Sequence, residues 1–339
     1  MITAGLRRSI LAAAGTEDAD PLLRPGPAPG SYASSLPLRL ARPGQDPRDL
    51  AAVLAGRLAR EPWIATAEVT GPGFLTVTVT HDALAGLAVR IARAGPACAA
   101  SDALRGRTVP APPPATLAAA PGWPQARAAL AAQLTTRLAA AAGATIIFDP
   151  ERAGFPAPAP LSLTLPTALP GGGPVAEAAT YAGEDAVRFA LARMPPGGPE
   201  SAHAAPEAAV IARHVLANPA YAVQYAHAAA AAVLRWAAAL GTRPAGFRPR
   251  LLAEPGELAL LDALSWLPER VAVAARRGRP DEFAGYLEEL AARTIDTMST
   301  TSFTKIPDIT SERLWLADAA RTGLAAGLGL LGIGAPSRM

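Results

Sequence analysis

Asn218-Pro219-Ala220-Tyr221-Ala222-Val223-Gln224-Tyr225-Ala226-His227-Ala228, running on to Val233-Leu234-Arg235, is the stretch on which the reading of this chain turns. Asn218 is a good N-cap, because its side-chain oxygen can accept from a free N–H of the first turn. Pro219 fits the first helical position, where its missing N–H costs nothing. The helix opened there should run to Leu240 and stop at Gly241, since glycine tolerates the left-handed turn that ends many helices.

Downstream the chain remains helical. A helix is expected over Glu257–Arg277, broken or kinked at Pro268. Others are expected over Asp281–Ser299 and from Ser311 to Leu331. Helical sequence begins upstream near Glu184, and there is no internal repeat. These helices, joined by short connections, read as an all-α bundle. Residues 150–174 are rich in Pro and Gly and end in Gly171-Gly172-Gly173. Before them come a helix over 125–141 and a short buried-type strand at 144–149, too little for a domain. Residues 95–124, with Pro and Ala runs, read as a linker.

The N-terminal part alternates differently. Leu50, Val53, Leu54 and Leu58 fall on one face of a helix over 47–60, with Pro47 in its first turn. A strand over 64–69 leads into the turn Gly71-Pro72-Gly73. Leu75, Val77 and Val79 then alternate with Thr76, Thr78 and Thr80, the pattern of a half-buried strand. Helix returns over 82–94. The fold class is therefore α+β: a small N-terminal α/β domain at 1–95, a short degenerate middle segment at 96–175, and a C-terminal all-α bundle at 176–339.

Composition sets the bounds. Of 339 residues half are hydrophobic, but alanine supplies much of that, so the cores should be helical and modest. The net charge of +3 does not by itself demand a polyanionic partner. Lys305 is the sole lysine and all other cations are arginine, a bias that a GC-rich genome explains. The single cysteine, Cys98, excludes an internal disulfide and a cysteine-rich zinc site. No apolar run approaches the ~20 residues that cross a bilayer, and the start MITAGLRRSILAAAG runs into Glu17, Asp18 and Asp20 without a leader's apolar core. A cytoplasmic setting is expected, with no membrane and no DNA partner, no cofactor and no metal.

Four stretches, in order, resemble arginyl-tRNA synthetases. The first is Gly30-Ser31-Tyr32-Ala33-Ser34 followed by the helix at 47–60 and Gly71-Pro72-Gly73-Phe74, similar to the family's N-terminal tRNA-binding domain. Next comes Gly183-Glu184-Asp185-Ala186-Val187-Arg188-Phe189, which looks like the Asp-Ala-Leu-Arg signature of its anticodon-binding (DALR) domain. The third carries Asn218, Pro219 and Gln224, and the fourth is the segment from Leu328 to Met339. The resemblance covers about residues 20–95 and 170–339 and implies tRNA as partner. The family's catalytic domain is a nucleotide-binding α/β fold whose His-x-Gly-His and Lys-Met-Ser-Lys-Ser-like motifs supply imidazole and ammonium groups to developing negative charge. Here His81, His203, His214 and His227 are too scattered for the first motif, and Lys305 alone cannot supply the second. No intact catalytic domain is expected, and no catalytic residue is assigned.

Candidate RNA contacts follow from charge and ring chemistry. Between Ala204 and Arg250 the cations Arg213, Arg235, Arg243, Arg248 and Arg250 stand against Glu207 alone. Such gathering suits a phosphate backbone, and a solvated face explains it equally well. Tyr225 and His227 share a helix, and such rings stack on unpaired RNA bases; Tyr225 could instead belong to a core stripe with Tyr221, and His227 could be a structural histidine. Tyr32 lies in the segment that resembles the elbow-approaching domain, or packs on its own sheet. Arg235, Arg243 and Arg338 complete the candidate set. Two departures dilute the anticodon chemistry: Ala229 stands where the family has arginine, and Thr294, Thr297 and Met298 replace aromatics. The preferred function is a non-catalytic synthetase paralogue that binds tRNA. The alternatives are a protein-interaction partner of the full synthetase or of another protein, and a ligase by homology only.

Overall fold

A computed structural model describes residues 1–16, 19–112, 117, 120–147, 173–195, 205–300, 303 and 310–339. It is mixed α and β, with a small sheet near the N-terminus and helices dominating the C-terminal half. Packing divides it into two units assembled from non-contiguous segments. The first comprises Met1–Cys98, Ala229–Glu269 and Arg293–Gly323; the second comprises Ala99–Ala228, Arg270–Ala292 and Leu324–Met339.

The first unit opens on α1 (Ile2–Ala14), which buries Ile2, Leu6 and Ile10 and ends at Gly15 in the left-handed conformation. An antiparallel sheet of order β1-β2-β4-β3 follows, from β1 (Leu23–Pro25), β2 (Ser31–Ser34), β3 (Ile64–Thr70) and β4 (Phe74–Val79). Leu75, Val77 and Val79 of β4 are buried while Thr76 and Thr78 are half-exposed, as the alternation requires. After α2 (Leu36–Leu40), helix α3 (Pro47–Leu58) is capped by Asp46, whose carboxylate accepts from Arg48 N at 2.8 Å. Its inward stripe is Ala51, Leu54, Ala55 and Leu58. The expected stripe is corrected in part: Val53 is exposed, because the chain uses alanine on the inward face where it approaches the sheet.

The Gly71-Pro72-Gly73 turn has a steric reason. A Cβ on Gly73 would lie 2.8 Å from Cβ of Pro47, and its φ of 128° is open only to glycine. The turn is thereby seated on the start of α3, and Arg48 Nε donates to the Gly71 carbonyl at 3.0 Å. The expected helix over 82–94 is two, α4 (His81–Ala85) and α5 (Leu87–Ala94), meeting at Gly86.

Helical segments complete this unit. They include the C-terminal half of α10 (Pro219–Ala239), α11 (Pro255–Ser265) and the first part of α14 (Ser311–Leu331). Helix α10 stops where glycine was expected to stop it, at Gly241 with φ 75°. Pro268 likewise divides its region, ending α11 before α12 (Leu267–Arg277). Leu260, Leu261, Leu264, Leu314 and Leu316 are buried. Polar ties run through this core. Arg7, 4% exposed, donates to both oxygens of the buried Glu269 at 2.8 and 3.0 Å and to Asp20 at 3.0 Å. Thr3 Oγ1 donates to the Ser265 carbonyl at 2.7 Å, and Gly30 N donates to Asp262 at 2.9 Å.

The second unit holds β5 (Thr108–Pro110), α6 (Trp123–Ala141) and β6 (Thr145–Ile147). The two strands pair in parallel, Val109 opposite Ile146, with α6 in the crossover between them. The expected strand over 144–149 is thus observed at 145–147, with a partner that was not expected; 148 and 149 lie outside the described residues. Leu130, Leu134 and Leu138 form the buried stripe of α6. Helices α7 (Pro174–Ala182), α8 (Glu184–Ala192) and α9 (Ala208–Ile211), the start of α10, most of α13 (Pro280–Met298) and the end of α14 pack with it. Gly327 of α14 lets Leu287 of α13 approach to 2.4 Å of where its Cβ would stand.

Candidate nucleic-acid interface

Helix α10 begins as a fixed point of the second unit. Asn218 is buried; its Oδ1 accepts from Ala220 N at 3.2 Å, and its Nδ2 donates to the carbonyls of Ile211 and Arg213 at 2.7 and 2.8 Å. One residue therefore caps the helix and ties down the loop before it. One turn on, Gln224 donates to Asp185 at 3.1 Å and to the Gly334 carbonyl at 3.0 Å. The same Asp185 oxygen accepts from Gly334 N at 3.0 Å. His227, 4% exposed, donates from Nδ1 to the Pro336 carbonyl at 2.8 Å. Arg188 pairs with Glu184 at 2.8 Å and, with Arg137, lies over Gly332. Asp185, Arg188, Gln224 and His227 thus form a polar latch that holds residues 332–336 against α8 and α10, while Asn218 and Pro219 set the start of α10.

Beside this closed latch lies an open row of rings. The His214 imidazole stacks on Tyr221 (centroids 5.4 Å apart, planes at 14°), and Tyr221 stacks on Tyr225 (5.9 Å, 21°). Tyr225 and His214 are exposed and Tyr221 is half-buried. Arg213, next to His214, is exposed and has no side-chain partner among the described residues. A row of stacked rings, open at both ends and with an arginine next in sequence, is suited to stacking on unpaired bases. Val215 and Leu216 are also exposed nearby in sequence.

The remaining candidates divide. Tyr32 is fully buried: its hydroxyl is 2.7 Å from Ser265 Oγ, its ring is 5.3 Å from that of Trp266, and burial pushes its phenol well above the ordinary value. The expectation of an RNA contact at Tyr32 is corrected, because the ring has no open face. His227 as a stacking platform is corrected for the same reason. Tyr225 is not core. Arg243 and Arg338 are exposed with no partner among the described residues, and Arg235 is exposed. Sequence reading missed His214 as a ring of the row. No periodicity could have found it, because it lies in the loop before α10. Phe74, half-buried, closes the Gly71–Gly73 turn. Burial pushes the Cys98 thiol up to about 11, which leaves it unreactive. No group of His, Cys, Asp or Glu among the described residues is placed to hold a metal, and no helix among them is long and apolar enough to cross a membrane.

Two domain families match the chain. Residues 1–79 match the arginyl tRNA synthetase N terminal domain, and residues 223–339 match the DALR anticodon binding domain. In these two segments the chain is similar to the terminal domains of an aminoacyl-tRNA synthetase. The chain is, specifically, a relative of the arginyl-tRNA synthetases. It is 40% identical over 162 residues to an arginine–tRNA ligase of Clavibacter sepedonicus, an alignment that covers 46% of this chain and 28% of that one. It is 45% identical over 128 residues to one of Kineococcus radiotolerans, covering 36% and 23%. The chain spans under a third of the length of these curated relatives. The structure of Thermus thermophilus arginyl-tRNA synthetase aligns over 100% of both chains with a TM-score of 0.61 at 16% identity, a likeness of fold.

Proposed function

We propose that this chain binds tRNA through its anticodon-binding domain and does not itself charge it. The observation that carries this reading is the stacked row His214–Tyr221–Tyr225, exposed at His214 and Tyr225, with Arg213 next in sequence and without a side-chain partner among the described residues, at the start of the helix that the matched domain shares. Base stacking on such rings contributes about 1–3 kcal/mol per base, and the neighbouring arginines add phosphate contacts that salt weakens. The non-catalytic half of the reading is supported by the sequence, which has no His-x-Gly-His and a single lysine.

A gel shift with total tRNA at two salt concentrations, run beside arginine-dependent pyrophosphate exchange, tests both halves. The expected result is salt-sensitive binding with no exchange. Formation of arginyl-tRNA by the chain alone would end the non-catalytic reading, and absence of a shift at low salt would end the binding one. The exposed Val215 and Leu216 favour a second reading, docking to another protein such as the full-length synthetase, because aliphatic side chains do little for bases.

A further inference from the structure

The first unit contains a polar hollow remote in sequence from the aromatic row. It is lined by Pro62, Thr80, His81, Asp82 and Arg250. Each polar group in it has a defined capacity. Thr80 Oγ1 already accepts from Ala83 N at 3.2 Å, so its hydroxyl proton remains available to donate. The His81 ring is fixed because Nε2 donates to the Leu252 carbonyl at 2.9 Å. That bond anchors the ring next to the short turn Pro249–Leu251, which carries Arg250. Arg250 is exposed and has no side-chain partner among the described residues, although Asp82 lines the same hollow. The Asp82 carboxylate lies 3.8 Å from His81 Nδ1, on the imidazole side.

We propose that this hollow seats a phosphoryl oxyanion, with Arg250 and the Thr80 hydroxyl as donors, and that its occupant is a phosphodiester of an RNA backbone. A guanidinium fork matches two phosphoryl oxygens. The carboxylate of Asp82 sets the preference, because it repels the more highly charged inorganic phosphate more strongly than a singly charged diester. The RNA source rests on the tRNA-binding reading above; the seat itself does not.

The test uses the full chain and two small probes, dimethyl phosphate and inorganic phosphate, with the His81 imidazole resonances as the reporter. Dimethyl phosphate should give a saturable shift that is lost in Arg250→Ala and restored in part by Arg250→Lys. Total tRNA should compete with the probe, and Arg250→Ala should flatten the salt dependence of tRNA binding by about one unit of log–log slope. No saturable shift, or an equal shift in Arg250→Ala, would overturn the seat. Tighter binding of inorganic phosphate, or no competition by tRNA that still binds elsewhere on the chain, would overturn the RNA-backbone assignment. Because the probes need no tRNA, the seat can stand or fall apart from the tRNA-binding reading.

Discussion

The latch on Asp185 and the ring row on Tyr221 share the start of one helix and differ in almost everything else. In the latch, side-chain polar atoms of Asp185, Gln224 and His227 meet protein groups of residues 334 and 336. In the row, the rings stack on one another, with His214 and Tyr225 exposed and Tyr221 half-buried. The comparison teaches that the residues carrying a family resemblance can be spent on holding the fold. Their spacing is fixed by the polar bonds that hold the fold, while the surface left over is free to do the binding. The Arg7–Glu269 tie of the first unit is a closed arrangement of the same kind, with both ions 4% exposed.

Closed ties should therefore answer in stability. The largest effect is expected at Arg7→Met, which takes two charge-assisted hydrogen bonds from the buried Glu269 carboxylate and should cost about 3–5 kcal/mol in urea unfolding. The double change Arg7→Met with Glu269→Leu should recover most of that loss, since replacing a buried pair by apolar groups is often neutral. A double variant no more stable than the single one would refute the account of the tie as a buried ion pair. Asp185→Ala comes next. It leaves Gly334 N without this acceptor and Gln224 with the Gly334 carbonyl alone, at a cost of about 0.5–1.5 kcal/mol because these groups are partly solvated, and amide exchange should speed up at Gly334 first. Exchange that speeds up uniformly over the unit would mean that the latch is not local.

A smaller effect is expected at Glu312. Burial by itself would raise this carboxyl; hydrogen bonds from its own backbone, then from the side chain and backbone of Arg248, outweigh burial and hold it below the ordinary carboxylate value. A depressed folded pKa stabilises above the unfolded value, and the contribution is lost as pH falls through the folded one. Glu312→Gln should therefore lower Tm at neutral pH and converge with the unaltered protein under acid conditions. A difference that grows on acidification would show that the sign is wrong.

Much of the helical half was legible because its punctuation is local. Asn218 and Pro219 start α10, Gly241 ends it, and Pro268 divides α11 from α12. Strand β4 was legible from its Leu-Thr-Val-Thr-Val alternation. Strands β1 and β2 were not, since three and four residues show no period; β2 finds its partner in β4 across some forty positions of chain, and β1 pairs in turn on β2. Helix α1 was missed because its start was read only for leader character. Candidate RNA contacts were legible as residue types but not as exposures. Tyr32, Tyr225 and His227 look equivalent in sequence, yet only Tyr225 has an open face, because Trp266 and the segment at Pro336 cover the other two.

The most direct test pairs tRNA affinity with thermal unfolding for Tyr225→Ala. Tyr225 is exposed, so its removal should leave stability within about 0.5 kcal/mol. If a base stacks on the ring, affinity should fall by about 1–3 kcal/mol, roughly a factor of five to over a hundred. A variant that keeps both its melting temperature and its tRNA affinity would contradict the claim that the open ring row is where this domain meets RNA.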